Sequence, residues 1–261
     1  GVYIMKKFID NFFKYRYFLS LLIKKELKIK YRESILGIIW SLLNPLLISL
    51  VMYVVFGKLF NRGRDFLVYL TVGRIFYSFM SGGTNAAMAS VISSGGITKK
   101  IYVPKYLFPL SKVTTIFIET MIAVAIIFVI MPIGGISYSW TNIFVFLPLV
   151  VLLFFTYGLG LILATINVFF RDIQHLYTVV LLAWMYSTPI FWPVDLAKGS
   201  LLIILKLNPL YYYITMARDS IMDGQLPSLE HFLIGVLFAV VMFVAGNLIF
   251  YKNKDKFILY L

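Results

Sequence analysis

Apolar residues run almost unbroken in six stretches, at about 35–57, 66–92, 107–131, 143–168, 176–192 and 231–251. A bilayer core takes about 20 helical residues, so each run predicts a membrane-crossing helix. Open strands are excluded because lipid cannot satisfy a sheet edge, and barrel strands would alternate apolar with polar residues. Before the first run the pattern changes. Phe8, Phe12, Tyr15, Leu19 and Leu22 recur at alternating steps of four and three, one face of a helix, with lysines and arginines on much of the rest. This predicts an amphipathic interfacial helix over residues 1–34, lying along the cytoplasmic membrane surface. After the fifth run, Ser187-Thr188-Pro189-Ile190-Phe191-Trp192-Pro193 carries two prolines, which break the helix and free backbone carbonyls. The semi-apolar segment that follows is too short to span, so residues 194–216 are predicted to re-enter from the outer face. The expected fold is an all-α integral membrane protein. It has a cytoplasmic interfacial helix (1–34) and a six-helix transmembrane domain (35–261), with re-entrant helices between spans five and six.

Composition agrees. Of 261 residues, 61% are hydrophobic and 13% charged, which excludes an ordinary soluble domain. The net charge of +13 then speaks of topology rather than nucleic acid. Lys6, Lys7, Lys14, Arg16, Lys24, Lys25, Lys28, Lys30 and Arg32 precede span one; Lys99, Lys100, Lys105, Lys112, Arg171, Lys252, Lys254 and Lys256 fall on the same side. The opposite side has Lys58, Arg62, Arg64, Lys198, Lys206 and Arg218. The excess puts both termini in the cytoplasm, as an even number of spans requires. Charges interrupt every apolar stretch of residues 1–34, so no cleavable signal peptide is expected there. With no cysteine and only His175 and His231, neither a thiolate nor a histidine-rich metal site is expected.

Catalytic signatures are missing. No G-x-x-x-x-G-K-[ST], H-E-x-x-H or G-x-S-x-G occurs, so ATP hydrolysis by the P-loop route is not expected of this sequence, nor any enzyme activity. Arg74 and Glu119 are the ionisable residues inside spans, and they are expected to pair between spans two and three, the alternative being a direct place in the transport path. Small residues crowd span two (Ser81, Gly82, Gly83, Thr84, Ala86, Ala87), and Gly160 and Ala164 stand four apart in span four. Both patterns let helix backbones approach closely. Tyr177, Leu181, Trp184 and Thr188 share a helical face in span five; Trp40 and Asn44 share one in span one, with Tyr53 nearer the outer end. Aromatic faces beside hydroxyl and amide groups suit a sugar chain, which stacks on rings and hydrogen-bonds. Trp40, Asn44, Tyr53, Tyr177, Trp184 and Thr188 are therefore candidates for a translocation path. Pro45 removes a backbone bond within span one and predicts a kink.

Four stretches carry a family resemblance. They are Tyr31-Arg32-Glu33-Ser34-Ile35-Leu36-Gly37-Ile38-Ile39-Trp40 with Leu43-Asn44-Pro45; Lys99-Lys100-Ile101-Tyr102-Val103-Pro104-Lys105-Tyr106-Leu107-Phe108-Pro109-Leu110; Asn167-Val168-Phe169-Phe170-Arg171-Asp172-Ile173; and Thr188-Pro189-Ile190-Phe191-Trp192-Pro193 with Leu207-Asn208-Pro209-Leu210. In this order and spacing the chain resembles the membrane (permease) subunit of ATP-binding-cassette exporters of lipid-linked polysaccharide, which serve O-antigen, capsule or teichoic-acid export. The resemblance implies a homodimer in the cytoplasmic (inner) membrane, working with two separate ATPase subunits that bind ATP and magnesium, and a lipid-linked glycan as substrate. It makes loop 95–105 a coupling helix docking on the ATPase, through Lys99, Lys100, Tyr102, Pro104 and Lys105. It makes the region of Lys28, Arg32, Leu36 and Gly37 a gate for the lipid-linked head group, with Lys30 alongside to attract the anion. Arg171 and Asp172 read as structural boundary charges, each expected to cap or pair with another element. Competing readings are a drug or small-lipid exporter subunit of the same superfamily, a secondary transporter or channel subunit, and a membrane-embedded transferase. The second needs more ionisable groups in the spans, and the third needs clustered acids or histidines at a membrane boundary.

Overall fold

A computed structural model describes residues 2–32, 36–98 and 103–260. Among the described residues every regular element is helical. The first helix, α1 (Val2–Tyr31), is followed by a bend in which Gly37 takes φ +50°, a left-handed conformation that favours glycine. A 3₁₀ turn leads into α2 (Trp40–Met52), which runs through Pro45 and loses its regularity only at a π-turn, Tyr53–Gly57. The long α3 (Asp65–Ser93) and the short α4 (Gly95–Thr98) come next. Then follow α5 (Leu107–Ile130), α6 (Phe146–Phe169), α7 (Ile173–Ser187), α8 (Ser200–Leu207), α9 (Pro209–Ile221) and α10 (Leu229–Asn253).

Four helical stretches are long and apolar enough to cross a membrane: Trp40–Gly57, Leu107–Ile130, Trp140–Phe169 and Leu229–Asn253. A fifth is possible in the pair α8 and α9, which bends by 84° at Asn208. The expected spans two and five correspond to α3 and α7, which do not meet that test. In α3 the reason is polarity: it carries Arg74 and a run of serine, glycine, threonine and asparagine from Ser81 to Asn85. It packs against α2, α5, α6 and α9, so its side chains meet protein and need not be apolar. In α7 the reason is length, since its 15 residues reach only about 22 Å.

The small residues do what their size allows. A Cβ on Gly83 would stand 2.7 Å from Thr156 Cγ2, and one on Gly160 would stand 2.6 Å from the Ala87 Cβ. Helices α3 and α6 therefore touch nearly backbone to backbone within one chain. Gly158 and Gly246 do the same for α6 and α10, because a Cβ on either would run into the other helix's backbone.

Part of helix α1 packs on the bundle. Leu19 is buried in a cluster with Val103 and Leu107, Glu26 pairs with Lys112 at 2.5 Å, and Lys30 pairs with Glu119 at 2.6 Å. Positions ascending along α1 meet positions ascending along α5, at nearly equal spacing. Over residues 19–31, α1 therefore runs beside α5 in the same direction and is not laid flat across the end of the bundle. Its apolar stripe, from Tyr15 through Leu19, covers protein there, and the two ion pairs of opposite sense fix the register. The side chains of Phe8 and Phe12 lie outside the described residues.

The two-proline break after α7 is sealed from outside its own segment. The Pro189 carbonyl accepts from Arg218 Nη1 at 2.8 Å and from the Tyr69 hydroxyl at 3.2 Å, and the Trp192 carbonyl accepts from Tyr69 at 2.9 Å. Arg218 also donates to the Tyr69 carbonyl at 3.1 Å, and its guanidinium lies 3.3 Å from the Tyr69 ring centre. The sequence suggests an outer-side charge for Arg218; instead it is a buried clamp joining α9 to the top of α3.

Candidate functional site

A cavity of about 280 Å³ opens between the end of α1, the first half of α2, and the middles of α3 and α5. Trp40, Ser41, Asn44, Pro45 and Ile48 line it from α2, and Arg74, Ser78 and Gly82 from α3. The α3 residues lie four apart, so one face of that helix supplies them. Ile116, Glu119, Thr120 and Ala123 come from α5, and Lys30 and Tyr31 from α1. Trp40 lines the cavity yet remains 46% exposed, so the cavity opens at that edge.

Trp40 and Asn44, singled out in the sequence as path candidates, meet here with Arg74 and Glu119, singled out as an ion pair. They do not meet as expected. Arg74 and Glu119 form no ion pair. Glu119 accepts from Lys30 Nζ at 2.6 Å and from the Tyr31 hydroxyl at 3.2 Å. The Tyr31 hydroxyl also lies 2.6 Å from Ser41 Oγ, which ties the end of α1 to the start of α2. Glu119 is the more deeply buried partner, its side chain 10% exposed against 56% for Lys30, and α1 brings a mobile ammonium directly to it. Arg74 is left with Met185 Sδ at 3.8 Å and the Tyr77 ring at 5.9 Å, and its Nε is buried without a hydrogen-bond partner. Lys30, expected to attract an anion from outside, is occupied within the chain.

The other path candidates make contacts within the chain. Tyr177 is buried and donates to Thr84 Oγ1 at 2.7 Å. Trp184 Nε1 donates to Asn208 Oδ1 at 2.8 Å, and Asn208 Nδ2 donates to Thr188 Oγ1 at 2.8 Å. Asn208 also caps α9 by accepting from the Leu210 amide at 3.0 Å, so one side chain holds α7, the proline break and the bent helix pair together. Tyr53 packs against the core, and its ring faces Gly57 across the π-turn. The face carrying Tyr177, Trp184 and Thr188 thus turns into the bundle.

At the proposed head-group gate, Lys28, Arg32 and Leu36 are exposed, and Gly37 makes the bend. Lys28 lies on the α1 face opposite Glu26 and Lys30, away from α5, and Arg32 follows the helix in a turn. Arg171 and Asp172 are exposed and make no side-chain hydrogen bond or ion pair among the described residues, so neither caps nor pairs as expected. Their neighbour Asn167 does the joining, donating to the Met88 carbonyl at 2.9 Å and accepting from Gln174 at 3.1 Å.

Of the coupling residues, Lys99, Lys100 and Tyr102 lie outside the described residues. Pro104 accepts from the Leu107 amide at 3.1 Å as α5 begins. Lys105 turns inward: its Nζ donates to the Lys254 carbonyl at 2.6 Å and lies 5.6 Å from the Phe257 ring centre. Burial pushes its ammonium below the ordinary lysine value. This ties the loop's end to the C-terminal turn.

Tyr31, Ser41, Ser78, Asn208 and Arg218 carry the geometry without having been singled out for these roles. The signal for Arg218 was indirect, since the carbonyls freed by Pro189 and Pro193 require donors from somewhere.

Comparison with known proteins follows this geometry. The family model described as ABC-2 type transporter matches residues 17–222. The chain is 30% identical over 243 residues to the O-antigen export system permease protein RfbA of Klebsiella pneumoniae, covering 92% of this chain and 93% of that protein. It is 28% identical over 260 residues to the permease of the same name from Myxococcus xanthus, covering 97% and 98%. It is 23% identical over 243 residues to the polysialic acid transport protein KpsM of Escherichia coli, covering 89% and 91%.

Proposed function

Because the chain belongs to the ABC-2 type transporter family, we propose that it is the transmembrane subunit of an ATP-driven exporter moving lipid-linked polysaccharide across the cytoplasmic membrane. The observation that carries this reading is the near-full-length similarity to permeases named for O-antigen export. Two copies assemble with two ATPase subunits, which bind ATP and magnesium. The chain itself makes no covalent bond. Both termini are cytoplasmic, and six spans cross the membrane: the four apolar stretches, the sequestered α3 and the short α7. Helices α8 and α9 re-enter from the outer face. The exposed Lys28, Arg32 and Leu36 and the bend at Gly37 form the head-group gate, and residues 95–105 dock on the ATPase.

Two features of the fold support the coupling. The loop's end is held by Lys105 to the C-terminal turn, and Val103 and Leu107 pack on Leu19 of α1. Motion delivered to the loop therefore reaches α1 directly, and α1 carries Lys30 and Tyr31 into the cavity wall. ATP can favour one arrangement of these parts only by binding it more tightly than the other.

The test is co-purification with the cognate ATPase in nanodiscs, with ATP hydrolysis measured with and without lipid-linked glycan. The expected result is a stable complex of two membrane and two ATPase subunits, in which Lys100→Ala with Tyr102→Ala lowers glycan-stimulated hydrolysis by about ten-fold. A chain that binds no ATPase and moves solute on an ion gradient is a secondary transporter, and the proposal fails.

A further inference from the structure

Arg218 is buried in the helical bundle and Arg74 is half-buried there, and their guanidinium groups are met differently. Arg218 has its charge answered: two carbonyls accept from it and an aromatic ring covers it at 3.3 Å. Arg74 does not. A guanidinium offers five N–H donors in a rigid fork. Arg74 has one long contact to a thioether, a weak acceptor, and a ring 5.9 Å away, at the limit of a useful cation–π distance. Its Nε is buried and unpartnered, as that of Arg218 also is; the difference lies in the terminal nitrogens, which two carbonyls take up in Arg218 and only a thioether meets in Arg74. A charge within apolar helices costs several kcal/mol unless it is paired. The acid in the same cavity is already taken, since Glu119 is held by Lys30 and Tyr31.

Arg74 also faces an open space of about 280 Å³. Ser78 stands one turn along the same face of α3, and Asn44 lies across on α2. Neither side chain has a hydrogen-bond partner within the described residues. The cavity thus presents an uncompensated fork, a free hydroxyl and a free amide, in a space larger than one carboxylate fills. We infer that Arg74, Ser78 and Asn44 form an anion subsite for a phosphate-bearing ligand, whose several oxygens take the donors that the chain leaves open. The Lys30–Glu119 pair keeps the neighbouring carboxylate from repelling it. This deepens the export reading and rests on it for the direction in which such a ligand travels. Binding at the subsite does not depend on that direction.

The experiment uses the full chain in phosphatidylcholine nanodiscs, titrated with inorganic pyrophosphate and followed by tryptophan fluorescence, because Trp40 lines the cavity. Saturable binding is expected, with the signal lost in Trp40→Phe. Arg74→Met is expected to weaken binding by at least about ten-fold, and Arg74→Lys, which keeps the charge without the fork, by less. Ser78→Ala is expected to weaken it a few-fold, which keeps the test open should Arg74→Met fail to fold. Competition by an isoprenyl diphosphate identifies a lipid carrier as the source of the phosphate; competition by phosphatidylglycerol built into the disc identifies the bulk membrane. Either supports the subsite. No binding by the unaltered chain, or equal binding by Arg74→Met, overturns it. So does a dimer that weakens in Arg74→Met while pyrophosphate never binds, because the counter-charge is then a second copy's acid. Pyrophosphate bound through Arg74 by a chain that exports no glycan leaves the subsite standing and sinks the export reading alone.

Discussion

Glu119 shows how partner choice in an apolar bundle is decided by reach. Arg74 and Glu119 line one cavity, yet the carboxylate bonds Lys30 from a helix that the hydropathy pattern assigns to the surface. The lysine brings its charge at small cost, since its stem stays half in solvent while the head meets the acid. Removing it would leave a mostly buried carboxylate with Tyr31 alone. Lys30→Met is therefore expected to lower stability by about 1–3 kcal/mol. The double variant with Glu119→Gln should lose less than the sum of the two single losses. Thermal unfolding of the four proteins in detergent checks this, and additive losses would deny the pair. Arg218→Met strands the carbonyls of Pro189 and Tyr69 and uncovers the Tyr69 ring, with an expected cost of about 2–4 kcal/mol. Gly73→Ala should act similarly, because a Cβ there would lie 2.8 Å from Arg218 Nη2. An unchanged unfolding midpoint in both would mean that the clamp is incidental.

Among elements, the closest approaches are set by glycine, which gives them a sharp mutational signature. Gly158→Ala or Gly246→Ala forces α6 and α10 apart, since each Cβ would meet backbone that cannot rotate away. Gly96→Ala meets open space. The expected outcome is loss of folded protein in the first two, read by size-exclusion recovery and unfolding midpoint, with no change in the third. Equal behaviour of all three would contradict the packing. The sequence announces much at this scale, and its silences are physical. Apolar runs locate α2, α5, α6 and α10 because each belongs to a stretch long and apolar enough to cross a membrane. The paired prolines locate the break after α7, and Gly37 the bend before α2. Hydropathy describes α3 poorly because α3 is surrounded by protein, so small polar residues serve it well. The pattern of α1 is amphipathic as read, but it does not announce that part of the stripe packs on α5. An apolar stripe flanked by charge looks the same whether it covers lipid or covers α5, and only Glu26 and Lys30, matched to Lys112 and Glu119, distinguish the two. In the candidate site, Trp40 and Asn44 are legible as a helical face. Tyr177, Trp184 and Thr188 share a face too, but periodicity cannot say whether a face meets a path or the bundle interior, and here it meets Thr84 and Asn208.

For the whole molecule, the fold connects the loop before α5 to the cavity through a single rigid element. Leu19 rests on Val103 and Leu107 at one end of the contact, and Lys30 and Tyr31 close on Glu119 at the other. In the export proposed above, partner ATPases would move that loop, α1 would follow, and the cavity would change shape around an anionic, lipid-linked glycan. The most direct measurement of this account is the movement of such a glycan into inside-out proteoliposomes that contain the chain and its cognate ATPase. The account predicts glycan inside the lumen only when both subunits and hydrolysable ATP are present, with no effect of collapsing the ion gradients. Accumulation that persists without the ATPase and vanishes with the ion gradient would contradict it.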